Sequence, residues 1–207
     1  MEHKKPTSVK LIYWITQVIF WLYTAAGFFA IFFAIALIFN FIHDLKLNVG
    51  IPVGMDIVES GTLEFGDQST AVQLKEMVGK IQFESAPLLI QRIYGFFIFI
   101  VLSLTYYLMM TFRVFITQVY QGHYFDRKNI LLLKRISYGL LAIWMVTVFY
   151  GYFQYFFIVN NLKFDSIVSN GNVETYPVIL LFALFIWVLS HIFSKGVEIK
   201  SEQELTI

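Results

Sequence analysis

The chain has 207 residues, of which 58% are hydrophobic, 19% aromatic and only 14% charged, with a formal net charge of +1 and no cysteine. A soluble domain carries about 25% charged residues, so this composition leaves no polar segment large enough for a separate soluble domain. The near-neutral charge gives no footprint for nucleic acid, and the lack of cysteine excludes disulfides, thiol catalysis and thiolate metal sites.

In chain order, Lys4, Lys5 and Lys10 precede the first apolar run, 11–42. A signal peptide opens the same way, but its apolar stretch is only about 7–15 residues long. This run continues far beyond that, so it is expected to stay as an uncleaved first helix. A helix over 10–41 would be about 47 Å long and must tilt or project from a hydrocarbon layer about 30 Å thick. Three further helices are expected over about 88–113, 136–160 and 177–194. Apart from Arg92 and Arg113, which bracket the second, no charged residue lies within the four.

The first outer segment, 43–87, is long enough to need structure of its own. Apolar and polar residues alternate in Leu45-Lys46-Leu47-Asn48-Val49, in Thr62-Leu63-Glu64-Phe65 and in Ile81-Gln82-Phe83-Glu84, the pattern of half-buried strands. Between them a short helix is expected over 69–78, with Ser69 as its cap and Gly79 just past its end. The second outer segment, 161–176, has Asn170-Gly171 as a turn signal between Leu162–Ile167 and Val173–Tyr176, which predicts a hairpin. The two segments are expected to pair into a small sheet.

The connection 114–135 carries the most distinctive pattern. Gly122 breaks the preceding helix. Asp126 is placed to cap a new one, with Phe125 before it as a hydrophobic staple, and Leu131, Leu132 and Leu133 lead toward the third span. Ten basic residues fall in the N-terminal segment, in Arg113 with this connection, and in the tail 195–207, against five in the outer segments and Arg92 together. The positive-inside rule therefore places both termini and the connection in the cytoplasm. Arg113 marks the inner boundary of the second helix, with the tail as its expected neighbour.

No zinc-protease, nucleophile-elbow, phosphate-loop or dinucleotide motif is present. Gln17, Thr24, Ser103, Thr105, Thr147 and Gln154 are the polar candidates at depth, and such residues commonly bond to backbone or between helices. Ala25-Ala26-Gly27 and Tyr150-Gly151-Tyr152 offer small residues for close helix approach. His43 and His191 fall on opposite sides of the membrane and cannot share a metal.

The order of four spans, a central Gly122-x-x-Phe125-x-x-x-Asn129 before a basic leucine-rich helix, then Phe193-x-x-Gly196 and a Glu202/Glu204-Leu205-Thr206-Ile207 ending, resembles a bacterial membrane family catalogued as domain of unknown function 2975. That resemblance extends from the first helix to the tail and is weakest in the long outer segment. It implies no established activity. It does imply a bacterial inner membrane, and genes that often lie beside one for a small helix-turn-helix transcription regulator.

These observations predict an all-α membrane protein: a single membrane domain over 1–207, a four-helix transmembrane bundle with cytoplasmic termini and a small extracytoplasmic β-containing cap. The expected function is regulatory or sensory, without catalysis, cofactor or metal. The partners are the bilayer, a cytoplasmic protein such as that regulator and, in some form, a second copy of the chain, with no direct contact to nucleic acid. Arg113, Gly122, Phe125, Asp126, Arg127, Asn129 and Arg135, with Glu202, Leu205 and Thr206 of the tail, are the expected docking residues. The alternative is a small transporter, channel or lipid-binding protein with a polar cavity lined by Gln17, Gln154 and tyrosines.

Overall fold

The computed structural model describes residues 6–41, 48–65, 68–83, 86–123, 126–162, 169–170, 173 and 175–204. The chain divides into two compact units, one comprising Met1–Phe41, Arg92–Val146 and Tyr176–Ile207, the other Ile42–Gln91 and Thr147–Thr175.

Four long helices supply the first unit: α1 (Thr7–Ile38), most of α2 (Leu88–Gln121), the first part of α3 (Arg127–Phe157) and α4 (Pro177–Glu204). Each contains a stretch long and apolar enough to cross a membrane. Helix α1 ends where Asn40 takes a left-handed conformation at φ 55°. The Asn40 N–H then reaches Leu37 O at 3.4 Å and the Phe41 N–H reaches Ala36 O at 2.9 Å, the paired bonds of a Schellman cap.

Contacts between α1 and α2 run in opposite sequence directions, so the two helices are antiparallel. Tyr13 stacks on Tyr120 at 4.5 Å between ring centroids, Gln17 meets Arg113, Phe20 meets Tyr106 and the Tyr23 hydroxyl donates to Leu102 O at 3.3 Å. At the far end Gly95 lies directly on α1: a Cβ there would sit 2.9 Å from Ala34 O and 3.0 Å from Leu37 Cβ. Gly139 of α3 takes the same role against α2, where a Cβ would be 2.9 Å from Leu108 Cδ1. Helix α3 is tied to α4 by the Ser137 hydroxyl, which donates to Ala183 O at 2.9 Å, with both residues fully buried.

The outward faces are as apolar as the seams. Phe28, Phe29 and Phe32 are 73%, 74% and 70% exposed. Water would penalise each such ring by about 1.5–3 kcal/mol relative to burial, and such extended apolar surface calls for another phase. Lipid removes that penalty, so the four helices fit an integral membrane protein.

In the second unit, β1 (Asn48–Phe65) and β2 (Gln68–Gln82) form an antiparallel hairpin, and β3 (Ser169–Asn170) pairs with β1 at Gly54 and Met55, giving the order β2-β1-β3. The expected pairing of the two outer segments is therefore present. Three short strands and a helix were the expectation for the first of them. Two long strands replace them, and 69–78 is strand. A ten-residue helix is marginal alone, whereas Thr70, Val72 and Val78 are β-formers with a partner strand supplied across the two-residue connection 66–67. Register shifts between Val49 and Pro52 and between Asp56 and Glu59 place extra residues in β1, where Pro52 is tolerated as bulges allow. Of the strand expected over 45–49, residues 48 and 49 open β1; 45–47 and most of the hairpin expected over 162–176 lie outside the described residues.

Helix limits also differ from expectation. The run 11–42 becomes Thr7–Ile38, α2 continues eight residues past Arg113 to Gln121, α3 begins at Arg127 and α4 extends to Glu204. The connection expected over 114–135 shrinks to 122–126. Charge marks where hydrocarbon ends, not where a helix ends, so cationic turns outside the apolar stretch remain helical.

Candidate functional site

The corner between α2 and α3 is fixed by its own backbone chemistry. Gly122 has φ 96°, a conformation that favours glycine. Its N–H reaches Val119 O at 3.0 Å while the His123 N–H reaches Gln118 O at 3.1 Å, a second Schellman cap. Asp126 precedes α3: its carbonyl oxygen accepts from the N–H groups of Asn129 and Ile130 at 2.9 and 3.3 Å, and its Oδ1 accepts weakly from the Lys128 N–H at 3.4 Å. Asn129 Nδ2 donates back to His123 O, closing the corner. Asn129 is only 2% exposed, and its Oδ1 has no partner among the described residues.

This locking sorts the first turns of α3 into two faces. Asn129, Ile130, Ile136, Ser137 and Gly139 are buried, while Arg127, Lys128, Leu131, Arg135 and Tyr138 are exposed. The exposed stripe, three cations around one leucine, is flanked by two hollows. One, about 220 Å³, is lined by Val114 and Gln118 of α2 with Lys128, Leu132 and Arg135 of α3. The other, about 340 Å³, lies between Arg127, Ile130 and Lys134 of α3 and Ser194, Val197 and Glu198 of α4. Leu131 borders both. The first tail residues thus continue α4 and flank the start of α3. There Lys195 pairs with Glu198 at 2.6 Å, one turn apart and highly exposed, a geometry that contributes little stability.

The expected docking residues therefore separate. Arg127 and Arg135 share the exposed stripe. Gly122, Asp126 and Asn129 build the corner, and Asn129 is too buried to meet a partner. Glu202 is exposed near the end of α4. Phe125, Leu205 and Thr206 lie outside the described residues. Among the described residues Arg113 is held by α1: its Nε donates to Gln17 Oε1 at 2.7 Å, and its guanidinium carbon lies 4.4 Å from the centre of the Phe20 ring and 5.6 Å from that of Trp21.

Most polar residues of the spans are spent on their own helices. Thr16, Thr24, Ser103, Thr105, Thr111 and Thr117 each donate to the carbonyl four residues earlier at 2.8 Å, a usual use of such hydroxyls. His191 sets its ring edge-on to Trp187 at 5.2 Å. Among the described residues no group of three or more His, Asp or Glu side chains is placed to hold a metal. Sequence reasoning missed the Gln17–Arg113 pair, the Ser137–Ala183 bond and the close approaches at Gly95 and Gly139. It favoured Gly27, where a Cβ would meet nothing within 4 Å.

Residues 69–207 match the model of a family described as protein of unknown function, DUF2975. The match spans more than half the chain, and the chain belongs to that family. It begins at Ser69, so α1 and β1 fall outside it, a narrower extent than the residue pattern suggested. No curated protein and no solved structure matches the chain.

Proposed function

We propose that this DUF2975 member is a non-enzymatic multi-pass protein of the bacterial cytoplasmic membrane, regulatory or sensory in type, that presents the α2–α3 corner to a cytoplasmic protein such as a helix-turn-helix regulator. The exposed stripe of Arg127, Lys128, Leu131 and Arg135 between two hollows carries this reading. An acidic amphipathic helix is its natural complement: an apolar residue seats beside Leu131, and carboxylates on either side meet the cations. The locked corner preorganises that surface, so little ordering opposes binding. From Ile136 to Phe157 the helix is free of charge and about 33 Å long, enough to span the hydrocarbon and leave the stripe outside it. The excess of cations in the same parts of the chain favours the cytoplasmic side.

The test is a photo-crosslinking residue at Leu131 in the full chain in living cells. A crosslink to one cytoplasmic protein is expected, lost in Arg127→Glu/Arg135→Glu. Adducts with lipid alone, or an adduct unchanged by the charge reversal, would count against the proposal.

A further inference from the structure

The Gln17–Arg113 pair sits at a definite depth. From Leu37 back to Gln17 along α1 is about 30 Å, and from Gly95 to Arg113 along α2 is about 27 Å. The Gly95 contact and the Arg113 contact are thus one hydrocarbon thickness apart. Around the second of them gather Tyr13, Trp14, Trp21 and Tyr120, the residue types that collect at the lipid headgroup boundary. On α1, Lys10, Trp14, Gln17 and Trp21 follow at spacings of four, three and four, which places them on one stripe. Beside it lies an open hollow of about 550 Å³ lined by Tyr13, Trp14, Gln17, Val18, Trp21 and Leu22.

The charge of this seam is unbalanced. Neither α1 nor α2 contains an Asp or Glu, and the Lys195–Glu198 ion pair is on α4. A guanidinium has five N–H donors. Gln17 takes one, and the four terminal ones have no acceptor among the described residues. At the headgroup boundary the nearest anions are lipid phosphates, and a phosphate oxygen pair suits a planar guanidinium better than any neutral group does.

We propose that the α1/α2 seam is a binding site for an anionic phospholipid. The phosphate lies against the terminal nitrogens of Arg113, Lys10 supplies a second positive charge toward the headgroup, and an acyl chain runs along Val18, Trp21 and Leu22. The site rests on the membrane reading above but not on any protein partner.

The experiment uses the full chain with Trp144→Phe and Trp187→Phe, so that fluorescence reports Trp14 and Trp21, in phosphatidylcholine vesicles holding acyl-brominated phosphatidylglycerol or, separately, acyl-brominated phosphatidylcholine. Quenching should show an association preference for the anionic lipid of about fivefold for each cation engaged. Arg113→Gln should bring it near parity, Lys10→Gln should lower it at an exposed position that does not affect folding, and Arg113→Lys should keep part of it. Inorganic phosphate in the buffer should leave it unchanged; loss on adding phosphate would show an anion site with no lipid specificity and overturn the proposal. Equal quenching by the two lipids in protein that floats with the vesicles, or a preference untouched by Arg113→Gln, would overturn it and leave the membrane reading intact. Protein that does not float with vesicles would overturn the membrane reading itself.

Discussion

At the scale of single residues, the side chains that matter most are those whose neighbours cannot move. Gly95 and Gly27 make the point as a pair. Adding a methyl to a helical glycine gains about 0.4–1 kcal/mol through the unfolded chain. At Gly27 nothing opposes that gain. At Gly95 the methyl meets the Ala34 carbonyl oxygen at 2.9 Å, a backbone atom that cannot rotate away, and overpacking costs about 1–3 kcal/mol. Thermal unfolding in detergent should therefore show Gly95→Ala less stable than the parent and Gly27→Ala equal to it or more stable. Asn129 follows the same logic with polarity. Asn129→Leu leaves the exposed His123 O without its protein donor, and loss of such a hydrogen bond costs about 0.5–1.5 kcal/mol. A lowered melting temperature is expected; an unchanged one would mean the corner is held without it. Ser137→Ala removes the α3–α4 bond and should cost about 0.6 kcal/mol, the average for such bonds in membranes.

At the scale of elements, ends and turns decide the outcome more than the apolar runs do. The runs were legible because hydrocarbon demands about 20 apolar residues, and no soluble element needs that. Gly122 and Asp126 were legible as a stop and a start because each has a local chemical reason. What hydropathy could not mark was helix outside the hydrocarbon. The basic first turns of α3 and the last turns of α4 are as helical as the spans, although their charges make them look like connections. Asn40 was equally silent, because a left-handed asparagine is a choice made by the chain around it. Strand β2 was misjudged for a related reason. Its ten residues from Ser69 have a cap and a terminal glycine that suit a helix, and the long partner that makes them a strand precedes them across an unremarked Gly66-Asp67. At the site, Arg127 and Arg135 were singled out by charge, and both are exposed. Burial removed Asn129 from the docking face, and the Gln17–Arg113 pair, 96 residues apart in sequence, required the fold. Gly122→Ala tests the corner as an element: with φ 96° the cost should be about 1–2 kcal/mol, visible as a lower melting temperature and a weaker Leu131 crosslink.

At the scale of the whole molecule, two asymmetries meet. Apolar faces such as Phe28, Phe29 and Phe32 fit lipid, and the proposed orientation rests on cations gathered on one set of segments. The measurement that tests this most directly is cysteine accessibility in intact cells, and the cysteine-free sequence suits single substitutions. Lys128→Cys at the corner and Thr70→Cys in β2 are placed on opposite sides of the membrane by the account. A membrane-impermeant maleimide added outside, once it has crossed any outer envelope, should label Thr70→Cys at once and Lys128→Cys only after the cytoplasmic membrane is opened. Labelling of Lys128→Cys in sealed cells, with Thr70→Cys protected, would contradict the orientation and remove the corner from any cytoplasmic partner.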